Sequence, residues 1–308
     1  MLKSFLFLMM VFSCLLLAQS GSLIMVRCDN DEEFLESPSQ MQLGHLQSSF
    51  DTSVDTVVFV HGYMTNFDDA RGNFEGAVSV LKSKIGKRNY VGFHWPSKVL
   101  WFGTAVTGAN TSGRFLLHVL SNISKWYGSS NKRIHLMTHS LGARVLLNAL
   151  KLNEARYVKW GYCFNMAAAV HNNAYIDSFA GTNEIAQKNY VYYSDRDGVL
   201  KYIYTLYYWL FDRNERGREF PDWDQMSDPE KIEYLQKLDQ TLQEGGYPQT
   251  DLDMYLMETM ERASKEAMGL VGSVGVSKVE NLNVSDIASS HSYWEHTEVL
   301  KKIAEKMQ

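Results

Sequence analysis

Ser140 stands in Thr138-His139-Ser140-Leu141-Gly142, between an apolar run, Arg133 to Thr138, and a segment with a helical apolar stripe, Leu141 to Leu152. A serine on such a strand-to-helix turn is held at the tip with the helix N-terminus aimed at it, which suits attack on an acyl carbon. Small residues are wanted two positions to either side, where strand and helix approach; Gly142 meets this and Thr138 departs from it. Ser140 also reads simply as the N-cap of the helix that follows. A second feature weighs toward chemistry. The run ending in Val60-His61-Gly62-Tyr63 forms a His-Gly turn able to offer backbone N–H groups. With the N–H of Leu141, that of Tyr63 would complete an oxyanion hole, each donor being worth about 2.7–4 kcal/mol in the acylation barrier.

A serine at neutral pH is a poor nucleophile and needs a base, oriented in turn by an acid. Downstream, an apolar run ends in Tyr193-Ser194-Asp195-Arg196-Asp197-Gly198, which puts two carboxylates where a strand of a parallel sheet would present a ligand site. Asp197 is the preferred acid, Asp195 the alternative, and Asp177 a third choice. Of the nine histidines, only His291 and His296 follow both of the preferred aspartates. His291, in a loop of small polar residues, is the expected base. His296 is expected to begin the terminal helix, and His61 and His139 to be structural neighbours of the two turns.

The elements that must position these groups alternate along the chain. Runs expected as strands are Thr56 to Val60, Tyr90 to Trp95, Arg133 to Thr138, Tyr162 to Ala168, Tyr190 to Ser194 and Val279 to Val284. Helical stripes fall between them, with Ala70, Phe74, Ala77, Val78 and Leu81 on one face of Asp68 to Lys82, and others at Arg114 to Leu120 and Leu141 to Leu152. This alternation predicts an α/β protein with a doubly wound, mostly parallel sheet. It breaks between Gly198 and Thr250, where an aromatic run, Tyr202 to Phe211, opens an insertion expected to act as a helical and aromatic cap. That run is expected to be a buried cap face; contact with a membrane surface is the less favoured reading.

Composition limits the classes open to the chain. Its 308 residues are 45% hydrophobic, with a formal net charge of −5 and no basic stripe, which disfavours nucleic acid as a partner. Lys3, the apolar run Phe5 to Ala18 and Ala18-Gln19-Ser20 read as a signal peptide over residues 1–20. An N-terminal segment 21–55 and a domain 56–308 follow. The expected location is outside the cell, in a periplasm or in a secretory lumen, with a lipoprotein or signal-anchored form as the lesser alternative. Cys28 and Cys163 remain after such cleavage, enough for one bridge. The sequons at Asn110, Asn122 and Asn283 do not identify a host. No metal or cofactor is expected, because no His-Glu-x-x-His or Cys-x-x-Cys spacing occurs and the Gly269, Gly272, Gly275 series precedes a strand, as a loop.

Taken together, Val58-Phe59-Val60-His61-Gly62-Tyr63 with Asn66-Phe67-Asp68-Asp69-Ala70, Trp95-Pro96-Ser97, Ile134 to Gly142, Ser194-Asp195-Arg196-Asp197 and His291-Ser292-Tyr293 resemble a branch of the α/β-hydrolases catalogued as of unknown function. The resemblance implies the α/β-hydrolase fold and supports Ser140, Asp197 and His291 as nucleophile, acid and base. It does not name a substrate. The expected activity is hydrolysis of an acyl bond, a carboxylic ester first, in a small-molecule or lipid substrate. The alternatives are a non-catalytic binding protein on the same scaffold and an acyltransferase using the same three residues.

Overall fold

The computed structural model describes residues 22–30, 33–99, 102–204 and 267–308, with isolated positions between 225 and 254. The expected signal peptide lies outside this range, as does most of the insertion expected at 198–250, including the aromatic run beyond Tyr204. Along the chain come β1 (Leu23–Arg27), β2 (Asp29–Asn30), β3 (Glu33–Phe34), α1 (Gly44–Ser49), β4 (Thr56–Val60), α2 (Phe67–Ile85), β5 (Asn89–His94) and α3 (Phe102–Tyr127). Then follow β6 (Ile134–His139), α4 (Gly142–Lys151), β7 (Trp160–Met166), β8 (Lys188–Tyr193), α5 (Met268–Val271), β9 (Val279–Asn283) and α6 (Thr297–Lys306).

Seven strands form one sheet in the order β1-β5-β4-β6-β7-β8-β9, and every neighbouring pair is parallel. Strand β4, with Thr56 to Val60 buried throughout, is covered on both faces, which is why it reads as a continuous apolar run with no alternation. Helix α2 packs with α6, and α3 packs with α4. From β4 the chain moves outward to β5, then crosses back through α3 to β6 on the other side. The strand order therefore reverses between β4 and β6, and in open α/β sheets ligands bind beyond the carboxyl ends of the strands at such a point.

Local sequence explains the helix that begins at this edge. Asn66 caps α2, its Oδ1 accepting the N–H of Asp69 at 2.8 Å, with Asp68 and Asp69 in the first turn and Lys82 and Lys84 in the last. Its buried face carries Ala70, Phe74, Ala77, Val78 and Leu81 as the spacing predicts, with Ile85 added.

Three features differ from expectation. Strand β1, in the segment ahead of Thr56, joins the sheet beside β5. The stripe at Arg114 to Leu120 is part of the much longer α3. Gly269 lies in the short helix α5 instead of a loop. Cys28 and Cys163 are free thiols, both buried, so no bridge joins them.

Candidate active site

The turn after β6 carries Ser140 at φ 52°, a left-handed conformation that is costly for any residue with a Cβ. Its backbone is held at three points: its N–H donates to Met166 O at 2.9 Å, and its carbonyl accepts from Ala143 and Ala169 N–H, both at 3.1 Å. Gly142 is required here, since a Cβ would stand 2.6 Å from His61 O and 2.7 Å from Val60 O. Thr138, the departure from a small residue, is accommodated by the neighbouring strand: its Oγ1 donates to Asn165 Oδ1 at 2.8 Å. Positive φ recurs at Met64 (57°) and Ala167 (46°), in the loops that follow β4 and β7. Non-glycine residues strained in this way cluster at functional sites.

The turn after β4 lies directly against the serine. A Cβ on Gly62 would come within 2.8 Å of the Ser140 Cβ, so no larger residue fits without displacing one of the two turns. Leu141 is fully buried, and its N–H donates to no acceptor among the described residues. Buried backbone donors are rarely left unpaired. On the other turn the N–H of Met64 is occupied by Ser97 O at 3.1 Å.

His61, at the base of that turn, is fully buried. Its Nε2 accepts from the Trp95 backbone N–H at 3.1 Å, its Nδ1 lies 2.9 Å from Gly62 O, and the Trp95 indole N–H donates to His61 O at 2.9 Å. Its ring stacks on Trp95 at 5.5 Å and on His94 at 4.8 Å. Burial, reinforced by His94, pushes the His61 imidazole down to about 3, so the ring is neutral. Ser97 Oγ donates to Thr65 O at 3.0 Å and accepts Thr65 N–H at 3.2 Å, tying down the rest of the loop.

Asp197 is fully buried, and each of its carboxylate oxygens has one partner. Oδ1 accepts the N–H of Leu200 at 3.0 Å, and Oδ2 accepts from His291 Nδ1 at 2.7 Å. With Nδ1 engaged by a carboxylate, His291 turns its other ring nitrogen away from the acid. Asp195 and Asp177 are exposed, and Asp195 meets this part of the structure through its backbone N–H, which donates to Ser285 Oγ at 3.1 Å. Ser140 Oγ and His291 are not hydrogen-bonded to each other; such bonds are often long in unliganded sites and tighten with substrate.

Two clamps hold the His291 loop to the sheet. Ser194 Oγ donates to Ala288 O at 2.7 Å, and His139 donates from Nε2 to His291 O at 2.6 Å while its ring lies 4.7 Å from that of His291. Burial pushes the His139 imidazole down to about 3. Behind it, Trp294 packs edge-on against Phe74 of α2 and Phe59 of β4. His296 is the N-cap residue of α6, as expected, with Nε2 3.1 Å from Ser290 Oγ.

The fold thus gathers Ser140, Leu141, the Gly62–Tyr63 turn, Asp197 and His291 around the carboxyl ends of β4, β6 and β8 and the loop after β9. The supporting residues Asn165, Trp95, Ser97 and Ser194 carry no role in the sequence reading. Trp95-Pro96-Ser97 is visible as a motif in the sequence, but its contacts to a turn more than thirty positions earlier are not. Among the described residues no group of three or more His, Cys, Asp or Glu is placed to hold a metal ion, and no helix is long and apolar enough to cross a membrane.

No curated protein matches the chain. A family model described as alpha/beta hydrolase of unknown function (DUF900) matches residues 38–203. That span contains both turns, Ser140 and Asp197; His291 lies beyond it. With the all-parallel sheet and the turn geometry above, the match shows that this chain belongs to that alpha/beta hydrolase family.

Proposed function

We propose that the protein is a serine hydrolase that cleaves a carboxylic ester through an acyl-enzyme. Ser140 Oγ attacks the acyl carbon as His291 Nε2 takes its proton. Asp197, bonded to Nδ1, fixes the tautomer that leaves Nε2 free to accept and stabilises the imidazolium that forms. The tetrahedral oxygen is received by the N–H groups of Leu141 and Tyr63. The intermediate collapses with the proton passing from His291 to the departing alcohol. Water then attacks the acyl group as His291 takes its proton, and the second intermediate collapses with that proton passing from His291 to the departing Ser140 Oγ, which releases the acid. The apolar run Phe5 to Ala18 ahead of the fold supports export of the mature chain.

The observation that carries this reading is the 2.7 Å contact between His291 Nδ1 and the fully buried Asp197, in a fold whose strained turn presents Ser140 at the same sheet edge. The test is covalent labelling of the purified protein by a fluorophosphonate, read by intact mass, with Ser140→Ala and His291→Ala as controls. One equivalent on the parent protein, absent from both variants, is the expected result. A folded parent protein that takes up no label refutes the reading and favours a binding protein on a hydrolase scaffold.

A further inference from the structure

An oxyanion hole needs its second donor aimed as firmly as its first, and the Gly62–Tyr63 peptide is in a turn that runs from buried Gly62 through half-buried Tyr63 to an exposed residue, Met64. Left to itself, such a peptide plane can rotate and present its carbonyl to the reacting oxygen, which would repel the charge it is meant to receive. We infer that His61 is a positioning residue that prevents this: its Nδ1–H holds the Gly62 carbonyl and so turns the Tyr63 N–H to the opposite side, toward Ser140. The inference rests on the serine-hydrolase reading of the same site.

The peptide is planar and trans, with no cis bond in the described chain, so its C=O and N–H point in opposite directions. Fixing one fixes the other. The Gly62 carbonyl lies 2.9 Å from His61 Nδ1. Which ring nitrogen carries the proton follows from the other contact: Nε2 receives the Trp95 N–H at 3.1 Å, so it must be the nitrogen with the lone pair. Nδ1 is then the donor. Ser97 Oγ is the other oxygen near Nδ1, at 3.4 Å, but it is already paired twice with Thr65, and the Gly62 carbonyl is closer.

The ring itself has no freedom to leave. It is flat against Trp95, with 7° between the planes, stacks on His94 from the strand behind, and has no exposed surface. Trp95 grips both ends of the residue, its backbone N–H on the ring and its indole N–H on the His61 carbonyl. Met64 N–H on Ser97 O closes the far side of the turn. The Gly62–Tyr63 plane is therefore fixed from before and after, and among the described residues His61 is the only side chain that holds its carbonyl.

Two substitutions in the full chain separate this role from simple core filling. In His61→Asn the amide nitrogen occupies the place of Nδ1 and keeps a donor for Gly62 O. In His61→Gln the amide oxygen occupies the place of Nε2, keeps an acceptor for Trp95 N–H, and leaves Gly62 O without its donor. The readout is the fluorophosphonate labelling rate at Ser140, resolved into binding and bond formation, beside the urea midpoint of each variant. His61→Gln is expected to slow bond formation by about 100-fold or more, the cost of losing one oxyanion donor, with binding unchanged. His61→Asn is expected to stay within about tenfold of the parent at a similar loss of stability. Equal rates for the two variants, or rates that follow stability alone, overturn the inference. Nitrogen NMR of the His61 ring tests the geometry apart from activity. An Nδ1–H tautomer supports it, and an Nε2–H tautomer refutes it even if Ser140 labels. A parent protein with the Nδ1–H tautomer that takes no label instead overturns the hydrolase reading, and the positioning role falls with it.

Discussion

Acid should destabilise this protein well above the pH at which its carboxylates titrate. Burial holds three imidazoles far below their ordinary range: His61 and His139 at about 3 and His135 at about 4. Each is used in its neutral form. His61 accepts through Nε2 as described, and His135 Nδ1 accepts the Tyr162 N–H at 3.1 Å. His139 lies against the ring of His291, where a second positive charge would be repelled. In the unfolded chain all three take up protons near pH 6.5. Below that pH the unfolded state binds more protons than the folded one, so stability is full above about pH 6.5 and is lost as pH falls toward 3–4. At pH 5 the folded rings are still neutral, and protonation lowers the unfolded state by about 2 kcal/mol per histidine, a value set by the unfolded pKa alone. The three together come to about 6 kcal/mol, comparable with the whole stability of many domains. The neighbouring charges do not blur this window. Asp29 and Arg27 lie on the His94 side of His61, and Asp55 and Arg88 are the charges nearest His135. Lys87 and Ser53 hold the Asp51 carboxyl at about 2; Asp29 also titrates near 2, because His94 and Arg27 outweigh the burial that would raise it. Both aspartates are ionised across the window. Urea unfolding at pH 7.5, 6 and 5 measures the loss, and His135→Gln should remove about a third of it. A folding free energy that changes by less than about 1 kcal/mol between pH 7.5 and 5 refutes the reasoning.

Two further outcomes follow from the site. Asp197→Asn keeps the acceptor for Leu200 N–H but sets an amide N–H against His291 Nδ1, so the ring takes the wrong tautomer; labelling of Ser140 should slow by about 10⁴-fold, while Asp195→Asn should leave it nearly unchanged. Ser140→Gly and Ser140→Ala should both abolish labelling, yet the glycine variant should be the more stable by about 1 kcal/mol in chemical denaturation, because it alone relieves the left-handed backbone at φ 52°. Equal stabilities would show that the turn stores no strain.

Much of this arrangement is legible in the sequence because the physics that makes it is local. Strand β4, buried on both faces, is an almost unbroken apolar run, and α2 shows its acidic first turn and its 3.6-residue stripe within nineteen residues, with its cap just ahead of them. The remainder depends on partners far along the chain. The first half of α3 contains Gly103, Thr107, Gly108, Thr111 and Gly113, weak helix formers that hold helical form because Ala105, Ala109 and Ser112 are packed into the core. Strand β1 has five residues, four of them only half-buried, and acquires its identity from β5. Thr138 reads as a departure until Asn165, twenty-seven residues later, is seen to take its hydroxyl hydrogen bond. Asp197 is preferred to Asp195 in the sequence without a local contact to decide it; in the fold Asp197 is buried against His291 and Asp195 is exposed.

The parallel register of β1 also sets which way the molecule faces. Leu23 lies opposite Tyr90 at the start of β5 and Arg27 opposite His94 at its end, so the chain enters the sheet at the edge remote from Ser140 and travels about 16 Å of strand before reaching the level of the two turns. Anything joined ahead of Leu23, whether a purification handle, a bead linkage or a natural tether, therefore pulls on the side away from the serine. A molecule immobilised through that end holds the Ser140 edge of its sheet on the side turned away from the surface to which it is fixed.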